Sequence, residues 1–209
     1  MWTFEKQTAI VTGGSRGIGR AIVQHLAERG ASVVVGYVTG REQAETAVEE
    51  ARGAGLNAMV VQLDVRDPAA WKALAKTCRE AYGRIDILVN NAGVLSDVPV
   101  AFIKPDEWAR VLDTNLTGAF YGIKTVSRTM AKQKYGRIVS VSSVAGLTGD
   151  VLRVHYAASK AGLVGLTRAA ARELAASGTT VNAVAPGIVV SDMTADLPES
   201  RRDRLLASI

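Results

Sequence analysis

Short runs of β-branched and aliphatic residues alternate along the chain with longer stretches whose apolar positions recur every three or four residues. The runs TAIVT (8–12), SVVVGYV (32–38), NAMVVQL (57–63), IDILVN (85–90), RIVSVS (137–142) and TVNAVA (180–185) are apolar with little polar interruption. Runs of that kind predict strands buried on both faces, as in a parallel sheet, rather than half-exposed hairpins. Helical spacing covers 18–29, 41–52, 68–82, one long stretch from about 106 to 132, and 155–177. The succession predicts a doubly wound α/β sheet with helices on both faces and right-handed crossovers. No linker, repeat or low-complexity tract interrupts it, so 1–209 reads as a single domain.

Composition narrows the setting. With 209 residues and 48% hydrophobic positions, the chain buries roughly 70% of the surface its unfolded form exposes and needs no disulfide or metal to hold a core. Its one cysteine, Cys78, lies on a predicted helix face and reads as a reduced packing residue of a cytoplasmic protein. The N-terminal MWTFEKQTAI lacks the apolar run of a signal peptide, and nothing later reaches the ~18 apolar residues of a membrane span. The excess of 25 basic over 20 acidic residues, +5, suits an anionic ligand or an acidic partner. Basic and acidic residues intermingle without interleaved aromatics, which argues against nucleic acid.

The first predicted strand runs directly into TGGSRGIG (12–19) and then into a helix. That order places bare backbone N–H groups and the positive end of a helix dipole at one point, where a pyrophosphate fits. Glycines 13, 17 and 19 follow a G-xxx-G-x-G spacing. A selector of NAD ends its second strand on a carboxylate for the ribose 2′-hydroxyl. Here that point is Gly36–Tyr37, with no acid before Glu42, while Arg16 and Arg41 are placed to meet a 2′-phosphate. NADPH is therefore expected over NADH.

Tyr156 and Lys160 are four residues apart on a predicted helix and share one face. Lowering a phenol by about three pKa units needs roughly 4 kcal/mol. An ammonium about 4 Å away, in an effective dielectric near 20, supplies about that much. Asn115, followed by Thr117 and Gly118, falls inside the long helical stretch, where asparagine and glycine are poor formers. His25 and His155 have no metal-ligand partner at useful spacing, so no metal is implied.

Seven segments in chain order resemble the short-chain dehydrogenases/reductases of the type that includes the 3-oxoacyl-[acyl-carrier-protein] reductases: TGGSRGIG, LDV (63–65), NNAG (90–93), Asn115 in DTNLTG, SSVAG (142–146), Tyr156 and Lys160 in YAASK, and Pro186–Gly187. The resemblance covers essentially the whole chain. It implies a Rossmann-type fold and nicotinamide-dependent carbonyl reduction or alcohol oxidation. It also implies a catalytic set of Asn115, Ser143, Tyr156 and Lys160, with Ser143, directly before V-A-G, preferred to Ser142. Around the cofactor it implies Gly13, Ser15, Arg16, Gly17, Ile18 and Gly19 at the turn, Tyr37 after the second strand, and Asp64 and Val65 at the adenine. Asn91, Ala92 and Gly93 would line the adenosine ribose side, Tyr156 and Lys160 the nicotinamide ribose, and Pro186, Gly187, Ile188, Val189 and Ser191 the carboxamide. In the family the asparagine holds a water that links the lysine to solvent.

The same likeness favours a 3-oxoacyl thioester on acyl carrier protein as substrate, the acidic carrier suiting Lys132, Lys134 and Arg137. A sugar, steroid or other small alcohol is the alternative substrate, and a non-catalytic nucleotide-binding scaffold the alternative from another class. Only 22 residues follow Gly187, whereas relatives continue through a further helix and a closing strand. The expectations are a missing last strand and a homo-oligomer: a tetramer as in the family, or a weakly active dimer if the chain truly stops at Ile209.

Overall fold

All five residues of β1 (Thr8–Thr12) are buried, because its alternate side chains enter two different cores. Ile10 joins one cluster with Val34, Leu88 and Ile138 of neighbouring strands and with Trp71, Leu74 and Met130 from helices. Ala9 and Val11 face the other way, with Val33 and Val35, onto Val23, Ala27, Ala44 and Val48. That two-sided burial is why the runs at 8–12, 33–37 and 87–90 carry no polar alternation; the expectation fails at 179–184, where only Thr179 and Val181 are buried.

The computed structural model describes residues 3–53 and 57–189. Besides β1 its strands are β2 (Ser32–Tyr37), β3 (Ala58–Gln62), β4 (Ile87–Asn90), β5 (Gly136–Val141) and β6 (Thr179–Val184). They form one parallel sheet in the order β3-β2-β1-β4-β5-β6. The direction of winding reverses between β1 and β4, and ligands of open α/β sheets bind in the crevice at that point. The helices are α1 (Gly17–Glu28), α2 (Arg41–Gly53), α3 (Pro68–Tyr82), α4 (Pro105–Leu112), α5 (Gly118–Gln133), α6 (Ala145–Thr148) and α7 (Val154–Leu174). The expected α/β sheet is thus present, with each strand within two residues of its predicted ends. The expected content of 190–209, Ser191 included, lies outside the described residues. Among the described residues, no helix is long and apolar enough to cross a membrane.

The stretch 106–132 departs from expectation. It is not one helix but α4, a π-helical turn (Asp113–Thr117) and α5. A π turn adds a residue to the winding and is common at functional sites. Here it turns Asn115 fully inward, to 1% exposure. Gly118 then begins α5 because a Cβ there would stand 2.7 Å from Val65 Cγ2. The expected helix 155–177 likewise ends at Leu174 and tightens into a 3-10 turn, Ala175–Ser177. Two short helices, a 3-10 turn at Val100–Phe102 and the four-residue α6, were not expected at all. Cys78 sits on the buried face of α3 with no exposed surface, and burial pushes its thiol up to about 12.

Candidate active site

The glycine turn after β1 is laced to the loop after β4. Thr12 Oγ1 accepts from the N–H groups of Asn91 (3.0 Å) and Ala92 (2.9 Å). In return, Asn91 Nδ2 donates to the carbonyls of Thr12 (2.9 Å) and Gly13 (3.0 Å). Gly13 has φ +62°, and a Cβ on Gly19 would lie 2.2 Å from the Gly13 carbonyl oxygen, so a side chain at 19 would force the turn open. α1 starts at Gly17 with no side-chain cap from Arg16 and no acid in its first turn. By contrast, Asp67 caps α3 by accepting from Ala69 N–H. An uncapped helix start at the end of a central strand is a fitting seat for a pyrophosphate.

The neighbouring turn after β2 comes close: a Cβ on Gly40 would be 3.9 Å from Ser15 Oγ. Ser15 and the exposed Arg16 thus belong to the turn after β1, and the buried Tyr37 ends the neighbouring strand β2. Arg41 is less committed to a 2′-phosphate than its position implied. Its Nε donates to Glu45 one turn along α2 at 2.7 Å, a local partner drawing the guanidinium back along its own helix. Asp64 is held by Arg66, which donates from its backbone N–H, Nε and Nη2, and this pairing keeps the carboxyl below the usual range.

Tyr156 and Lys160 lie in the first half of α7, against the end of β5. Lys160 is 4% exposed and donates from Nζ to the Val141 carbonyl at 2.7 Å. Burial pulls its ammonium down to about 8. Nζ stands 5.6 Å from the centre of the Tyr156 ring. Tyr156 is pushed above its ordinary value by burial; hydrogen bonding to Ser143 and the charge of Arg153 oppose this, and Asp150 adds to it. The expected lowering of the phenol by Lys160 is thus not the balance in this structure, where desolvation outweighs the opposing charges. Ser143, not Ser142, meets the phenol; Ser142 Oγ donates to the Lys160 carbonyl at 2.9 Å and ties α7 to β5.

Asn115 is placed by three hydrogen bonds. Its Oδ1 accepts from Val94 N–H (2.8 Å), and its Nδ2 donates to the Val94 carbonyl (2.9 Å) and to Ser159 Oγ (3.1 Å). Gly93 leaves room between this amide and the lysine, since a Cβ there would be 3.3 Å from Asn115 Oδ1 and 3.5 Å from Lys160 Nζ. The Pro186–Gly187 segment lies beside Ser143: Val144 N–H donates to the Pro186 carbonyl at 3.0 Å. The turn, the loop after β4 and the Ser–Tyr–Lys group thus share the C-terminal edge of the sheet, where open α/β sheets bind their ligands. Thr12, Ser159 and Arg153 contribute to this arrangement and were not singled out from the sequence. Arg153, 8% exposed overall, donates to Asp97 (2.5 Å) and Asp150 (3.0 Å). Ser–Tyr–Lys chemistry and a dinucleotide turn on one parallel sheet define a nicotinamide-dependent oxidoreductase.

The family model described as short chain dehydrogenase matches residues 7–202, and the chain belongs to that family. It is 45% identical over 203 residues to the 3-oxoacyl-[acyl-carrier-protein] reductase FabG of Staphylococcus aureus strain Mu50, covering 97% of this chain and 82% of that one. To the Escherichia coli K12 protein of the same name it is 43% identical over 206 residues, 99% of this chain and 83% of the other. Among solved structures, a putative short-chain alcohol dehydrogenase from Sinorhizobium meliloti 1021 superposes with a TM-score of 0.94 at 38% identity, over 99% of this chain and 82% of that one. A variant of actinorhodin polyketide ketoreductase with NADPH gives 0.88 at 40% identity, over 95% and 76%.

Proposed function

We propose that the protein reduces a 3-oxoacyl thioester carried on acyl carrier protein to the 3-hydroxyacyl thioester, with NADPH as cofactor. The observation that carries the reading is the buried Lys160, with Nζ 5.6 Å from the centre of the Tyr156 ring and donating to the Val141 carbonyl at the end of β5, beside the glycine turn. The names of the curated relatives support the substrate, and the missing carboxylate at Gly36–Tyr37 together with Arg16 supports the phosphorylated cofactor. Bound NADPH supplies hydride to the substrate carbonyl carbon. Ser143 holds the substrate oxygen, and Tyr156, a phenol protonated at neutral pH whose pKa burial raises further, delivers the proton as charge develops there. Lys160 orients the cofactor ribose and attracts charge toward the phenol, while Asn115 fixes the loop after β4 and, with the space at Gly93, accommodates a proton path to Lys160. The binding residues are Gly13, Ser15, Gly17, Ile18 and Gly19 for the pyrophosphate, Arg16 for the 2′-phosphate, Tyr37, Asp64 and Val65 for the adenosine, Asn91, Ala92 and Gly93 for its ribose side, and Pro186, Gly187, Ile188 and Val189 for the carboxamide. Phe120 of α5, 43% exposed, and Trp108 of α4, 39% exposed, are apolar surface suited to burial in a homo-oligomer.

The test is loss of absorbance at 340 nm with NADPH and acetoacetyl-acyl carrier protein, run beside sugar and steroid ketones. Tyr156→Phe removes only the hydroxyl and is expected to lower kcat by roughly 10² to 10⁴ while NADPH still binds. Turnover of the sugars or steroids and not of the thioester sinks the substrate assignment; no turnover of any, with NADPH bound, makes the chain a scaffold.

A further inference from the structure

The residue immediately before Tyr156 is a histidine with no exposed surface. His155 Nε2 lies 2.8 Å from Ser96 Oγ, in the loop after β4, and the Ser96 hydroxyl donates in turn to Glu107 of α4. Arg110 closes the chain with two bonds to Glu107, at 2.9 Å and 2.7 Å. These bonds, Arg110 first and Ser96 second, hold the Glu107 carboxyl down at about 2. Ser96 has a single proton and Glu107 takes it, so toward His155 the serine oxygen only accepts, and Nε2 is the donor. Nδ1 has no hydrogen-bond partner among the described residues. A buried imidazole that leaves one nitrogen unsatisfied costs more than an apolar ring of similar size. The single directed bond from Nε2 is what the imidazole offers in return.

That bond does not stand alone. Val98 N–H donates to the Leu152 carbonyl at 2.8 Å, and Asp97 takes Arg153, so the loop 94–98 grips the chain just before and at the start of α7. The other end of the loop is held at Val94 by Asn115. His155 is the tie adjacent to Tyr156 itself. We propose that His155 is a positioning residue: its Nε2–H to Ser96, continued through Glu107 to Arg110, sets the first turn of α7 against the loop after β4 and so fixes where the Tyr156 phenol meets Ser143. The inference rests on Tyr156 being the proton donor.

His155→Phe keeps the bulk and removes the donor; His155→Gln returns an N–H close to the position of Nε2; Ser96→Ala removes the acceptor from the other side. A displaced acid slows the chemical step and leaves cofactor binding intact, so His155→Phe and Ser96→Ala are each expected to lower kcat about tenfold or more, with KM for NADPH within about twofold of wild type. His155→Gln is expected to recover kcat to within about threefold. If His155→Phe does not fold, Ser96→Ala and His155→Gln decide alone. Wild-type kcat in Ser96→Ala, or a glutamine variant no better than phenylalanine, overturns the proposal and makes His155 a packing residue. Tyr156→Phe assayed alongside separates the two failures. If that variant is dead while Ser96→Ala is fully active, positioning falls and the acid assignment stands; if it stays active, the acid assignment falls and this inference with it.

Discussion

Lys160 and Arg16 show how single side chains carry opposite costs. The ammonium of Lys160 is almost wholly buried and titrates near 8 instead of 10.5. Below pH 8 the cofactor-free protein therefore carries a destabilising charge of about 3 kcal/mol. Between pH 8 and 10.5 the unfolded chain binds more protons at this site than the folded one, so this contribution makes stability rise with pH. Lys160→Met, which removes the charge, is expected to gain most over wild type at pH 7 and to lose that advantage by about pH 10; urea unfolding of the cofactor-free proteins at both pH values checks it. A gap that widens with pH refutes the burial argument. Arg16, exposed at the start of α1, has the reverse economy. Arg16→Ala is expected to weaken NADPH roughly ten- to a hundredfold, the worth of one charge-assisted hydrogen bond, and to leave NADH unchanged. Fluorescence titration with both cofactors tests this, and equal affinity of the wild type for the two would contradict it.

At the scale of elements, the active site depends on a close crossing that the sequence does not announce. A Cβ on Gly146 of α6 would stand 2.7 Å from the carbonyl carbon of Lys160 and 2.8 Å from Ala161 N. Gly146→Ala is expected to push α6 off α7, shift Ser143 three residues upstream, and lower kcat at least tenfold with NADPH affinity nearly intact; steady-state kinetics with cofactor titration measures both. β1, β2 and β4 were legible because two-sided burial writes itself as continuous apolar runs, β6 by its β-branched residues although only Thr179 and Val181 of it are buried, and α3 because Asp67, Pro68 and Gly83 mark its ends. α6 was not, since four residues hold no periodicity. Nor was the π turn, because the helical spacing on either side of Asn115 continues without a proline. Tyr156, Lys160 and Ser143 were legible as motifs. His155 and Arg153 were not, because Ser96 and Asp97 lie 59 and 56 residues away and only the fold brings them together. The local partner of Arg41, Glu45 one turn along α2, is legible from the i,i+4 spacing alone.

For the molecule as a whole, the proposed cofactor would bridge the reversal between β1 and β4 and bind only the folded state. NADPH at a hundred times its Kd then adds about 2.7 kcal/mol, or roughly 5–10 °C in Tm for a chain of this length. Equal concentrations of NADH are expected to give a smaller shift, which differential scanning fluorimetry resolves; no shift with either cofactor would argue against dinucleotide binding. The thiol on the buried face of α3 turns the same coupling into a clock. Cys78 is the chain's only cysteine, fully enclosed and protonated at any working pH. A thiol-specific dye can strike it only while the core beneath α3 stands open, so each modified molecule records one opening event. The colour that accumulates over minutes counts those openings directly, with no denaturant, no introduced label and no change to any residue of the site.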